Sequence, residues 1–340
     1  MKKNAENSIQ QSLLNDSFGR RINYLRVSIT DRCNLRCKYC VSHTPSPKLS
    51  HNEILRYEEI LKIIRVGARY GITKVRITGG EPLARRGIYD FLDELSSIPG
   101  LDDISLTTNG VLLQDNLPRI LGAGIKRLNI SIDSLKKERF RQITGFDKYE
   151  SVWNAALAAL EAGIYPVKLN VVAIPGVNDD EIADFARLTL QYPFFVRFIE
   201  YMPIGSPELQ IKKQLLTPEI EKRVASVGKL LPVELGLNDG PARRFRFSGA
   251  KGEIGFISPV SNHFCSTCNR MRLTASGKLR ACLLSDTTID IAGALRKGCS
   301  DEELYNKFLQ ATLQKGEKHS LKDSASPKPM VEDHMFSIGG

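Results

Sequence analysis

Thr30-Asp31-Arg32-Cys33-Asn34-Leu35-Arg36-Cys37-Lys38-Tyr39-Cys40 places three thiols within eight residues, spaced Cys-x3-Cys-x2-Cys. A compact loop with that spacing turns all three thiolates towards one centre. Structural zinc takes four protein ligands, and a closed four-iron cluster takes four cysteines. Three thiolates leave one coordination corner open, and an open corner is where chemistry takes place. The competing reading is a zinc knuckle completed by a more distant histidine, His43 or His51.

Around this loop the chain alternates short β-branched runs with amphipathic stretches. Strands are expected at 24–30, 74–78, 103–107, 127–133, 167–174 and 195–200. Helices are expected at 58–70, 87–97, 113–123, 149–162 and 180–190. Such alternation predicts right-handed crossovers and a parallel sheet. Six units are too few for a closed eightfold barrel, so the fold class is α/β, a partial (β/α)6 TIM-like barrel with function at the strand ends. After Met202 the rhythm stops: a helix is expected at 217–226, a β pair at 243–247 and 253–257, and a helix at 301–313. The expected organisation is a flexible N-terminus (1–18), the partial barrel (19–202), a C-terminal module (203–314) and a mobile tail (315–340). The lysine- and serine-rich run within that tail reads as mobile.

The 340 residues are 42% hydrophobic and 25% charged, which suits a soluble globular enzyme. No apolar run approaches the ~18 residues of a membrane span. The polar N-terminus does not read as a secretory signal, so a cytoplasmic location is expected. The seven cysteines divide into two separated triads and one remaining thiol, Cys299, a pattern of metal ligands more than of disulfides. The net charge of +10 allows a nucleic acid, an acidic protein or a polyanionic small molecule as partner.

Arg76-Ile77-Thr78-Gly79-Gly80-Glu81-Pro82 ends the second strand, where paired glycines let backbone approach a ligand closely. The cysteine spacing, with this turn one βα unit later, resembles the radical S-adenosylmethionine (SAM) enzymes. The second triad, Cys265 and Cys268 with Cys282, has metal-site spacing; structural zinc with His263 and an iron–sulfur cluster both fit. The first triad and the flanking Arg270 and Arg272 favour iron–sulfur. Strand alternation turns Lys168 and Arg197 into the lumen, and Arg26, Lys74 and Arg76 lie on or beside strands. Each alone could form salt bridges, with Asp133 and Glu200 as candidate partners. Together they fit an anionic ligand such as a triphosphate, and their inward placement argues against nucleic acid.

The chain resembles the GTP 3′,8-cyclase family, which opens molybdenum cofactor biosynthesis. The markers are Leu25-Arg26-Val27-Ser28-Ile29-Thr30-Asp31-Arg32-Cys33, the Gly-Gly-Glu-Pro turn, Leu106-Thr107-Thr108-Asn109-Gly110, Phe264-Cys265-Ser266-Thr267-Cys268 and Ile338-Gly339-Gly340. The resemblance implies two [4Fe–4S] clusters facing each other across the lumen. By it, Cys33, Cys37 and Cys40 hold the cluster that cleaves SAM, while Tyr39, Gly80, Ser131 and Met202 contact SAM. It further implies that Cys265, Cys268 and Cys282 hold the second cluster, whose open iron binds guanine. Arg26, Arg76, Thr107, Lys168, Arg270 and Arg272 would hold GTP, with Lys74 and Arg197 close by. Gly339 and Gly340 would reach the active site and support SAM cleavage when GTP is bound. The implied reaction is abstraction of the ribose 3′ hydrogen by a 5′-deoxyadenosyl radical and closure to 3′,8-cyclo-7,8-dihydro-GTP. Implied partners are GTP, an electron donor and a downstream pterin-forming enzyme, with no membrane or nucleic acid; a homodimer is one option. Val41-Ser42 stands where the family usually has Met-Pro. The alternatives are a radical SAM peptide-modifying maturase with an auxiliary cluster and a basic zinc-binding nucleic-acid module.

Overall fold

A computed structural model describes residues 13–41, 47–202, 204–205, 209, 211, 213–234, 236, 239–319, 331 and 333–339. Six parallel strands form its wall: β1 (Tyr24–Ser28), β2 (Lys74–Thr78), β3 (Asp103–Thr108), β4 (Arg127–Ser131), β5 (Val167–Ala173) and β6 (Phe195–Glu200). They stand in chain order in the sheet. Helices cover the outer face. Tyr57–Arg69 buries Ile60, Leu61, Ile63, Ile64 and Val66, with acidic residues in its first turn and Arg69 in its last. Outward strand residues such as Val27, Ile77, Leu106, Ile130, Leu169 and Phe198 meet those helices in one continuous core.

The inner face differs. Strands covered on both sides usually read as near-continuous apolar runs, whereas here alternate residues are polar or charged. Arg26 pairs in register with Arg76, Thr107 with Asn129, Asn129 in turn with Lys168, and Asn170 with Arg197. The inner face therefore borders a ligand cavity, where a closed barrel would have a packed core.

The region after Met202 adds its described strands to the same sheet. β7 (Leu230–Pro232), β8 (Arg243–Phe247) and β9 (Glu253–Ile257) extend the β6 edge. β10 (Arg270–Leu273), β11 (Lys278–Arg280) and β12 (Thr288–Asp290) extend the β1 edge. Because β9 runs parallel to β6 and β10 parallel to β1, the chain between them crosses the open side of the wall. Cys265 and Cys268 lie on that crossing. The helices Lys137–Thr144 and Ala292–Arg296 were not foreseen; the first is strongly polar and buries only Phe140, Ile143 and Thr144.

The start of the expected mobile tail needs correction. Lys315 is buried, and its ammonium donates to the carbonyls of Arg270 and Ala281. Arg20 donates to the carbonyls of Gly316, Glu317 and Cys265. Further on, Val331 is buried, Asp333 pairs with Arg280, and Met335–Ile338 forms a short helix. The expectations for residues 1–12, Ser42, His43 and Gly340 lie outside the described residues. No helix of the described residues is long and apolar enough to cross a membrane.

Candidate active site

Both triads border one cavity of about 620 Å³, which contains Cys33, Cys37 and Cys40 on one side and Cys265, Cys268 and Cys282 on the other. The first triad follows β1. Its loop is locked to the Gly-Gly-Glu-Pro turn by backbone bonds, Gly80 N–H to Thr30 O at 2.6 Å and Glu81 N–H to Arg32 O at 2.8 Å. A Cβ on Gly80 would lie 2.2 Å from Arg32 O, so only glycine permits this approach. Glu81 is fully buried and accepts from the Thr108 hydroxyl and the Asn109 and Leu83 amides. The Asn109 side-chain amide reaches the Cys33 sulfur at 3.6 Å.

Tyr39, Gly80, Ser131 and Met202 all line the cavity on this side. Asp133, two residues past Ser131, accepts from the Tyr39 hydroxyl at 2.7 Å and from Val172 N–H at 2.8 Å. It is not a salt-bridge partner of the lumen arginines. Burial raises its carboxyl to about 6 against the opposing Tyr39 and Val172 hydrogen bonds. Glu200 is likewise engaged elsewhere, accepting from Thr217, Val260 and Ser261. Burial lifts the Cys40 thiol to about 12.

The opposite side is basic. Arg26, Arg76, Arg197, Arg270 and Arg272 line it with Thr107. Burial and mutual repulsion push the Arg197 and Arg272 guanidiniums well below their ordinary range. Burial raises Cys268, but Arg270 and Lys315 outweigh it and bring the thiol to about 7. Several buried polar atoms facing this space have no hydrogen-bond partner among the described residues: the Tyr24 hydroxyl, Thr107 Oγ1, Asn170 Oδ1, Arg197 Nε and His263 Nδ1. Unpaired buried groups are costly, so an array of them marks a polar ligand's place.

Lys74 and Lys168 are absent from the cavity lining. Lys74 pairs with Asp103 at 2.8 Å, and Arg127 shares that carboxylate at 2.7 Å. Lys168 is buried and two residues from Asn170 on the same face; burial, then Arg197, Arg127 and Arg76, lower it to about 6. His51 is exposed and does not line the cavity, whereas His263 does. Among the described residues, no three thiol, imidazole or carboxylate groups are gathered so as to hold one metal ion; the thiols of each triad are near enough that, besides burial, the charge of the other two raises Cys37 and Cys265.

The tail bridges the two sides. Phe336 N–H bonds to the Cys40 thiol, and the Gly339 carbonyl accepts from Arg272. The Lys48 ammonium lies 3.8 Å from the centre of the Phe336 ring. Sequence reasoning did not assign Tyr24, Asp133, Asn170, Lys315 or Phe336 to ligand contact. Strand alternation carried the signal for Tyr24 and Asn170, while nothing local marks Lys315 or Phe336.

Residues 27–189 match the Radical SAM superfamily, and residues 194–321 match Molybdenum Cofactor Synthesis C. A GTP 3′,8-cyclase of Moorella thermoacetica is 50% identical, covering 96% of this chain and 100% of its own. That of Heliobacterium modesticaldum is 48% identical, covering 96% and 99%. Among solved structures, Streptococcus suis SuiB bound to S-adenosylmethionine aligns with a TM-score of 0.61 at 13% identity, over 93% of this chain and 77% of that one. That likeness extends to the fold alone. With half its residues shared across nearly its whole length, the chain belongs to the GTP 3′,8-cyclase family of radical SAM enzymes.

Proposed function

We propose that the chain converts GTP to 3′,8-cyclo-7,8-dihydro-GTP, the first step of molybdenum cofactor biosynthesis. The observation that carries this reading is one cavity bordered by both cysteine triads and five inward-facing arginines. A polyanionic substrate satisfies those arginines and the orphaned polar atoms around them. A peptide-modifying maturase has no use for such a basic wall.

The donor sets fit the cofactors. Cys33, Cys37 and Cys40 supply three thiolates and leave a corner for SAM, with Tyr39, Gly80, Ser131 and Met202 along its side. Cys265, Cys268 and Cys282 supply three more for a second cluster, whose open iron would take the guanine. When bound, the first cluster and SAM together supply the 5′-deoxyadenosyl radical that removes the ribose 3′ hydrogen. This chain's residues bind, orient and enclose. Arg26, Arg76, Arg197, Arg270 and Arg272 neutralise the triphosphate, with Thr107 as a hydroxyl donor and Lys74 and Lys168 behind them. Gly339 closes the space beside Ser28 and Thr78, and the terminal Gly-Gly pair supports SAM cleavage when GTP is bound.

The reaction also needs an electron donor, and its product passes to a pterin-forming enzyme; the cytoplasm suits both. Anaerobic incubation of the iron-loaded protein with GTP, SAM and a reductant tests the reading. Equal amounts of 5′-deoxyadenosine and cyclised nucleotide are expected. Cleavage of SAM that ignores GTP would overturn it.

A further inference from the structure

We infer that Tyr24 is a further substrate-binding residue, whose hydroxyl donates a hydrogen bond to a phosphate oxygen of the nucleotide. Tyr24 opens β1 and faces the cavity. The residue is 4% exposed, and its buried hydroxyl has no hydrogen-bond partner among the described residues. A buried phenol ordinarily finds a partner, because an unmade bond costs its full desolvation. Its placement says what that partner is. The Lys74 ammonium lies 5.1 Å from the ring centre and the Arg76 guanidinium 5.5 Å. Arg270 is its register partner on β10 and Lys74 its partner on β2, with Arg26 two residues along the same strand.

The nearest carboxylate in the register, Asp103, is held by Lys74 and Arg127. The space around the hydroxyl therefore selects an anion with acceptor oxygens, and a phosphate group has both. Burial by itself raises the phenol, yet Arg76, Arg26, Lys74 and Arg270 outweigh it and leave it below its ordinary range. An acidified phenol is a stronger donor to an anionic acceptor. The ring has a second role, since its face supports the two cations beside it. The hydroxyl and the ring can thus be tested apart.

This inference rests on GTP occupying the cavity, so wild-type protein is measured first. With both clusters loaded, calorimetric titration with GTP and with guanosine separates the outcomes. Tyr24→Phe keeps the ring and removes the hydroxyl; GTP affinity should fall about tenfold, as for a charge-assisted hydrogen bond, while guanosine affinity stays unchanged. Tyr24→Leu should cost GTP more, by freeing Lys74 and Arg76 as well. Iron content and the visible absorption of the clusters report that each variant is folded. Equal GTP affinity of Tyr24→Phe and wild type would overturn the inference. Equal losses for GTP and guanosine would also overturn it, placing the contact on the nucleoside. No GTP binding by wild type would instead overturn the functional reading beneath it.

Discussion

The two sides of the cavity each carry three thiols but differ in the charge around them. The first set lies on a single loop after β1; the second is split between the β9–β10 crossing (Cys265, Cys268) and the segment after β11 (Cys282). Around the first triad, burial and then Asp133 raise Cys37, while burial raises Cys33 against the opposing Leu35 amide, with smaller contributions from Glu81 upward and Lys48 downward. Around the second stand Arg270 and Lys315, which pull Cys268 down. On the proposed reading SAM, with its sulfonium, would lie on the first side and the triphosphate of GTP on the second, so the two should respond to different mutations.

The largest effects break one side outright. Cys37→Ser leaves two thiolates for the first cluster and should abolish 5′-deoxyadenosine formation. Cys265→Ser with Cys268→Ser should remove about half of the roughly eight irons two clusters hold, and stop cyclisation while sparing the first cluster. Chemical iron analysis with product chromatography checks both. Stoichiometric zinc in the wild type would return the second triad to a three-thiolate, one-histidine site.

Charge comes next. Asp133→Asn should weaken SAM binding and leave GTP affinity within about twofold, whereas Arg197→Ala should weaken GTP by about tenfold or more and spare SAM. A crossed result, each variant hitting both ligands equally, would mean that the two sides are not electrically separate.

These pairings could be foreseen only in part. The triads, the Gly-Gly-Glu-Pro turn and the six strands were legible because spacing and period are local properties of a chain. Arg197 could be placed in the lumen because strand alternation fixes a face; the same reasoning put Lys168 there, and it lies beside the lining, not in it. The route from β9 to β10 was not legible. Arg270–Leu273 carries charges on alternate residues, which read as flanks of a metal motif more readily than as a strand at the β1 edge. Lys74 fell to the salt-bridge reading, since Asp103 lies beside it in register. Asp133 reads in sequence as a candidate salt-bridge partner for the lumen charges, but the structure gives it Tyr39, 94 residues away in sequence. The burial of Lys315 depends on carbonyls contributed by two other strands' ends, a tertiary arrangement with no local signature.

Lys168 gives a smaller, pH-dependent test of the basic side. With its ammonium at about 6 in the free protein, it is mostly neutral at pH 7.5. A bound triphosphate favours its charged form, so binding takes up a proton. GTP affinity should therefore fall as pH rises above 6, by at most about tenfold per unit for one linked proton. Titration calorimetry in buffers of different ionisation enthalpy measures the uptake directly, and Lys168→Met should remove it. Identical uptake in that variant would assign the proton elsewhere.

The smallest effect concerns the tail that joins the sides. Gly339 has φ +76°, and a Cβ there would meet Thr78 Cγ2 at 2.9 Å. Gly339→Ala combines backbone strain with that contact, and at about 1 kcal/mol or more it should reduce cyclisation severalfold at normal iron content. Unchanged turnover would show that the contact with Arg272 is dispensable.

The most direct test of a charge-sorted cavity is hydrogen transfer across it. GTP carrying deuterium at the ribose 3′ carbon is turned over once with SAM under anaerobic reduction, and the 5′-deoxyadenosine is weighed by mass spectrometry. One deuterium is expected in each 5′-deoxyadenosine, matched by one cyclised nucleotide. Unlabelled 5′-deoxyadenosine, formed in the same amount with or without GTP, would contradict it.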